Sequence, residues 1–556
     1  MAWYDEAIFY HIYPLGMTGA PKQNSYTNTE HRLNNLIPFI PQIRKLGFTA
    51  LYIGPLFESV GHGYETTDYK KLDTRLGTNE DLTAFVAKCH EEGIRVVLDG
   101  VFNHTGRDFF AFQDIKKHRE ASAYKDWYCN VNFGGNNEYN DGFSYDNWGG
   151  YNLLAKLNQH SGEVREYICD VIRFWVKEFD IDGIRLDAAD VLDFGYMQMM
   201  RRVSNEIKPD FWLMGEVIHG DFVHWVNSDT LHSVTNYHLH KALYSGHNDH
   251  NYFEIAHTVK RLYEMGGNKP DGLKLYNFAD NHDVERIYTK LHTKSHFTPV
   301  HILLYTLPGV PSVYYGSEFG IEGRKEHGSD DSLRPEISYE QYIKATEENQ
   351  LTALIERLGK IRQQTKILSY GDYKELFLTN CQYAFSRSYN GKSVIVCVNN
   401  SESDFEMTLP ALGSNEYAGG ISGEKVCAVN GQITVKIKGN SGEIWIPSDL
   451  SDSEFTSLTT NSIIEPPLEN EHTEPVINQE EITGKAESVK LEDIIEVQTE
   501  QKEKTEKSFE EMTVEELQEA ILERMRRNGP VTEQMHRDVM ENVYHNSLVT
   551  WVKSFC

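Results

Sequence analysis

Along the first 365 residues, short apolar runs of β-branched and aromatic residues alternate with longer stretches whose apolar positions recur every three or four residues. The runs IFYHIYP, FTALYIG, IRVVLDG, DGIRLD, FWLMGE, HSVTN, LKLYNFADN and GVPSVYYG read as buried strands. The longer stretches predict helices over 33–46, 80–92, 164–178 and 194–207. Eight strands alternating with helices predict an α/β fold, a parallel sheet closed into a (β/α)8 TIM barrel over residues 1–365.

One connection breaks the rhythm. Residues 105–160, after the third strand, hold the Asn-, Gly- and aromatic-rich run WYCNVNFGGNNEYNDGFSYDNWGGYN. So long a connection in a compact domain predicts an inserted subdomain on the carboxyl-end face of the barrel, where active sites lie. From 366 to 450 the period shortens to two, in YAFSRSY, SVIVCVNN, ITVKIKG and GEIWIP, which predicts a small antiparallel β-sandwich. Residues 451–510 hold 16 Asp/Glu against 5 Lys and almost no aromatics, the composition of an acidic disordered linker. Helical periodicity returns in 511–556. Thr513 and Glu516 form a capping box, Leu517, Ile521, Leu522 and Met525 share a face, and Asn528-Gly529-Pro530 separates a second helix that Thr532 can cap. Two short helices cannot bury enough surface alone. They predict a tail module for self-association or for binding another protein.

Composition narrows the partners. A net charge of −29 on 556 residues argues against nucleic acid and against anionic membrane surfaces, both of which need basic patches. It suits a neutral substrate. The start, MAWYDEAIFYHIYP, has no basic segment followed by an apolar one, and no apolar run reaches the length of a membrane span. The seven cysteines are scattered and odd in number, without CxxC spacing, and read as reduced thiols in a cytoplasmic protein.

The chemistry gathers at predicted strand ends. The third strand ends in DGVFNHTG, with Asp99, Asn103 and His104; the fourth in Arg185 and Asp187; the fifth in Glu216; the seventh in FADNHD, with Asn281, His282 and Asp283. Parallel barrel strands bring these ends to one face. Carboxylates on all four of them, with two histidines and an arginine, suit glycoside hydrolysis, in which one carboxylate attacks the anomeric carbon and another protonates the leaving oxygen. Residues two apart on a strand share a face, so Arg185 stands beside Asp187 and is expected to keep it ionised, as a nucleophile. Glu216 has no cation adjacent in sequence, and desolvation is expected to raise its pKa, as suits the acid. Asp283 can stabilise an oxocarbenium-like transition state, and His104 and His282 can bond sugar hydroxyls. A hydrolytic metal centre competes for the same residues, but the histidines lack His-x-His or His-E-x-x-H spacing.

DGVFNHTG, GIRLDAAD, GEV and FADNHD, in this order, resemble the four signature regions of the α-amylase family, glycoside hydrolase family thirteen. The resemblance spans about the first 450 residues. It implies Asp187 as nucleophile, Glu216 as acid/base and Asp283 as transition-state stabiliser of a retaining mechanism. GHGYETTDY resembles the family segment whose Tyr, here Tyr64, stacks on the sugar at the cleavage subsite. GSDDSLRPEI resembles a loop whose Asp330 and Arg334 hold the same sugar. Many members bind calcium near the position of Asn103; Asp190 stands here where a Lys often accompanies that site, so no obligatory calcium and no other cofactor is expected.

LAKLN at 154–158 is similar to the MPKLN segment of neopullulanases, cyclomaltodextrinases and maltogenic amylases, with Ala155 in place of Pro, and FQDI…YKDWY at 112–128 points the same way. The first predicted strand begins near residue 7, so the amino-terminal domain of that subgroup is expected to be missing, and with it its contribution to dimers and to the choice of cyclic dextrins. The expected activity is hydrolysis of α-1,4-glucosidic bonds in maltodextrins and starch-type oligosaccharides. An α-glucosidase, a cyclomaltodextrinase or a transglycosylase would use the same residues, and a non-catalytic barrel scaffold is the alternative of another class.

Overall fold

The computed structural model describes residues 2–267, 272–326, 329–450, 513–514 and 517–522. Eight parallel strands follow the predicted runs: β1 (Phe9–Ile12), β2 (Ala50–Ile53), β3 (Arg95–Gly100), β4 (Gly183–Leu186), β5 (Trp212–Gly215), β6 (Ser233–Val234), β7 (Tyr276–Phe278) and β8 (Val310–Tyr314). Hydrogen bonding runs in chain order from β1 to β6, and β1 also pairs with β8, which pairs with β7. A parallel bridge between Thr235 and Tyr276 closes the ring. Almost every strand residue is buried, because the interior side chains fill the barrel while the others meet the surrounding helices.

The helices at Asn79–Glu91, Gly162–Phe179 and Phe194–Ile207 match their predicted spans to within two residues. The helix expected over 33–46 divides into a 3-10 turn, Arg32–Leu36, and an α-helix, Phe39–Lys45. Pro38 stands between them and lacks the N–H that a continuous helix needs. Two helices that the sequence analysis left undrawn, Tyr237–Asn248 and Tyr252–Met265, separate β6 from β7.

The insert after β3 folds around a three-stranded antiparallel sheet, in which Tyr151–Lys156 pairs with His104–Gly106 on one side and Asn147–Trp148 on the other. Beyond the barrel, a six-stranded sheet faces the pair Phe405–Pro410 and Gln432–Ile437. Their burial alternates along each strand, as a half-solvated antiparallel layer requires. Met407, Leu409, Ile433, Val435 and Trp445 fill the space between the layers. The expected acidic linker lies outside the described residues, as does most of the tail; Val514 and 517–522 are helical.

Candidate active site

Register builds the site. β5 lies beside β4 with Met214 opposite Arg185 and Gly215 opposite Leu186. The next pair in that register is Glu216 beside Asp187, just past the strand ends. β3 lies on the other side of β4 with Asp99 opposite Arg185. Arg185 therefore stands among three carboxylates. Its Nη1 donates to Asp99 Oδ1 and Oδ2, at 2.9 and 3.1 Å, and to Asp187 Oδ1 at 2.9 Å, while its Nη2 lies 2.8 Å from Glu216 Oε2. Asp99 reaches this position because Gly54, at the end of β2, has no side chain; a Cβ there would lie 2.3 Å from Asp99 Cβ.

After Asp187 the chain turns sharply, with Ala188 in the left-handed region at φ 47°. Such backbone is uncommon outside glycine and clusters at functional sites. The turn aims the Ala188 N–H at Glu216 Oε2, 3.1 Å away. Glu216 Oε2 is thus held twice, while Oε1 faces only the Tyr237 hydroxyl, at 3.5 Å. Asp187 is likewise held by Oδ1, which leaves Oδ2 clear of Arg185.

This corrects two expectations. Glu216 does have a cation beside it, brought by the neighbouring strand. Nor does Arg185 keep Asp187 in its usual range: burial raises the carboxyl well above it against the pull of Arg185, and the charges of Glu216, Asp99 and Asp283 add to the rise. Glu216 and Asp99 are raised by burial as well, each against the pull of Arg185. One guanidinium shared by three carboxylates cannot hold all three ionised in a buried site, so the cluster retains protons as a coupled unit.

Asp283 closes the opposite side, after β7. Asn281 accepts hydrogen bonds from the backbone N–H groups of Asp283 and Val284, and the resulting turn presents the Asp283 carboxylate. Arg334 donates to Asp283 Oδ1 and to Asp330 Oδ2, at 3.1 and 3.2 Å, and also to the His282 carbonyl. Asp330 and Arg334 are therefore brought to the site together. Arg334 lies over the Tyr13 ring, 4.6 Å from its centroid.

His282 packs nearly parallel to Tyr64, at 5.8 Å and 11°. Its Nε2 lies 2.5 Å from the Tyr64 hydroxyl and 3.1 Å from Asp283 Oδ2. Burial lowers the His282 pKa well below its usual value, so the ring is neutral. The consistent arrangement has Nε2–H donating while the Tyr64 hydroxyl donates onward to Asp99, 3.3 Å away. His104 differs. It is buried, with a pKa lowered to about 4, and both ring nitrogens have protein partners, the Asn103 amide and the Tyr64 carbonyl. As placed, it supports the Tyr64 backbone.

Asn103 is fully buried. Its Oδ1 accepts from Gln159 Nε2 at 3.0 Å and its amide nitrogen meets His104. Sequence reasoning passed over Tyr13, Tyr52 and Tyr237, although Tyr13 and Tyr52 lie in predicted strands and Tyr237 follows one; Tyr52 donates to Asp99 at 2.8 Å.

A barrel whose strand ends carry paired carboxylates, with an arginine between them and a stacked aromatic beside them, defines a glycoside hydrolase. The alpha amylase catalytic-domain model matches residues 23–360 and the alpha-amylase C-terminal-domain model residues 371–445. The chain belongs to the α-amylase family and is an α-glucan hydrolase of the α-1,4 class. It is 31% identical over 448 residues to a cyclomaltodextrinase of a Bacillus species, an alignment covering 76% of this chain and 77% of that one. It is 28% identical to a maltogenic alpha-amylase of Bacillus acidopullulyticus, over 80% and 77% of the two chains. A solved cyclomaltodextrinase structure superposes with a TM-score of 0.70 at 26% identity, covering 80% of this chain and 78% of that one.

Proposed function

We propose that the chain cleaves short α-1,4-linked maltodextrins by double displacement, with Asp187 as nucleophile, Glu216 as acid and then base, and Asp283 as transition-state stabiliser. The observation that carries this reading is the single guanidinium bridging Asp187 and Glu216. Both carboxyls lie within hydrogen-bond reach of one guanidinium, which supports the short separation of a retaining enzyme.

The hydrogen bonds support one choice of reacting oxygens. Asp187 Oδ2, free of Arg185, attacks the anomeric carbon. Glu216 Oε1, free of both Arg185 and the Ala188 N–H, carries the proton to the glycosidic oxygen. The proton shared by the pair sits on Glu216 once sugar is bound, because the electron-poor anomeric carbon faces Asp187 and favours its anion. The C–O bond to the leaving glucan breaks as the Asp187–C bond forms. Glu216, now ionised, deprotonates the water that releases the sugar and regains its proton. Asp283, held by Arg334, offsets the positive charge that develops on the ring in both steps. Tyr64, stacked on His282, is the platform for the sugar at the cleavage subsite; Asp330 and Arg334 orient its hydroxyls.

The reaction needs no cofactor, and the reading includes no obligatory calcium. The six described cysteines are free, which supports a reducing, cytoplasmic location. Among the described residues no helix is long and apolar enough to cross a membrane. The amphipathic pattern of 511–556 supports a tail that associates with a second copy or another protein. NMR of fresh product from maltoheptaose tests the mechanism: the α-anomer forms first if configuration is retained, and the β-anomer first if it is not.

A further inference from the structure

At the amino-terminal end of the barrel, on the face opposite the carboxylate cluster, lies a cavity of about 290 Å³. Trp3, Glu6, Thr49, Gly93 and Arg95, which precede or begin β1, β2 and β3, form one wall. Arg362, Gln363, Lys366 and Ser369, from the helix Gln350–Gln364 and the turn beyond it, form the other. Three cations and one carboxylate thus line a recess in a chain whose net charge is −29.

Arg95 is paired with Asp182 at 2.9 Å, and Lys366 lies 3.6 Å from Glu6. Arg362 has no such partner in its described contacts. It is 2% exposed, its two terminal nitrogens donate only to the carbonyls of Tyr305 and Gly309, and its Nε is buried with no hydrogen-bond partner. Buried guanidinium groups ordinarily meet a carboxylate or another anion, since dipoles alone do not replace the hydration of the charge. Arg387 lies near enough to add like-charge repulsion, and together with burial it pulls the Arg362 pKa down to about 9.

We propose that this cavity is a binding site for a phosphate group, either inorganic phosphate or the monoester of a sugar. Arg95 and Lys366 supply charged donors at the recess, the buried Arg362 adds a charge that no carboxylate offsets in its described contacts, and Thr49 and Ser369 line the same space. A cluster of guanidinium and ammonium charges suits a dianion better than a halide. The Trp3 ring offers an apolar surface for a sugar ring. The site lies away from every group assigned to catalysis, so its occupancy adds to folded-state stability without entering the reaction.

Titration calorimetry and thermal melts of the full-length protein with inorganic phosphate and with a hexose monophosphate, at matched ionic strength, test this. Binding and a rise in Tm with phosphate are expected. Arg362→Met should abolish both, Lys366→Gln should weaken binding about tenfold, and the rate on maltoheptaose should be unchanged by Lys366→Gln. Tighter binding of the monoester identifies a phosphorylated sugar as the ligand; equal or weaker binding identifies free phosphate. No binding of either by the wild type at 10-millimolar order, or undiminished binding by Lys366→Gln, overturns the proposal; the second result decides the matter even if Arg362→Met does not fold.

Discussion

Arg185 Nη2 lies 2.8 Å from Glu216 Oε2 while its Nη1 lies 2.9 Å from Asp187 Oδ1, so one guanidinium orients both proposed reacting carboxyls. Their protonation is consequently coupled to each other and to Asp99, the third carboxylate on the same arginine.

Asp99→Asn exposes this coupling. The Asp99 charge raises the pKa of both Asp187 and Glu216, and its removal also frees Arg185 to stabilise their anions. Both limbs of the bell-shaped dependence of kcat/KM on pH should therefore move toward acid. Rates on maltoheptaose across the pH range check this; a profile lowered in height with its limbs unmoved would show that Asp99 acts on geometry alone.

Glu216→Ala should cost most where the leaving group needs a proton. Hydrolysis of maltoheptaose should fall by at least about 10³-fold, near the upper part of the range for general acid catalysis. An aryl maltoside whose phenolate leaves unassisted should lose far less in the first step. Comparing kcat/KM on the two substrates measures the difference, and equal losses would assign Glu216 to binding.

Glu318, buried behind β8, accepts a hydrogen bond from Tyr10 and has its pKa pushed up to about 7 by desolvation. A carboxyl raised in the folded state favours folding while protonated, and that advantage is lost as pH climbs from the unfolded value near 4.5 through about 7. Glu318→Gln, which keeps the acceptor and cannot ionise, should therefore gain stability relative to wild type between pH 5 and pH 8, by up to about 3 kcal/mol. Thermal melts at the two pH values check the sign, and a difference independent of pH would contradict it.

Ending the chain after Leu450 should leave the rate on maltoheptaose unchanged, because every proposed catalytic group precedes residue 340. If the tail joins two copies, light scattering should show a lower mass per particle for the shortened chain; equal masses would leave a different protein as the tail's partner. Loss of rate in a folded, shortened enzyme would place the tail in the active site.

The eight strands and the placing of Asp187, Glu216 and Asp283 at strand ends on one face were legible because each lies at the end of an apolar run, where local pattern fixes both the strand and its polar tip. The contact between Arg185 and Glu216 was not, because it depends on the register of β5 against β4, which no local pattern encodes. His104 read as a sugar ligand from its place at a strand tip. The insert draws it into the strand His104–Gly106, paired with Tyr151–Lys156, and buries it. Pro38 did mark the division of the helix expected over 33–46, and there the apolar periodicity ran on through a residue that cannot continue the backbone ladder. Tyr64 was found through its motif, whereas Tyr237 reaches Glu216 from the helix after β6, across a connection whose length gave no clue to its direction.

The central claim is that Asp187 forms a covalent bond to the sugar. The Glu216→Gln variant treated with maltosyl fluoride tests it most directly: fluoride leaves without a proton, and the variant lacks the base for the second step, so the intermediate should accumulate. Mass spectrometry of the digested protein should find one maltosyl adduct, on the peptide carrying Asp187, and none when Asp187 is also changed to Asn. An adduct on Asp99 or Asp283, or turnover of the fluoride with inversion and no adduct, would contradict the account.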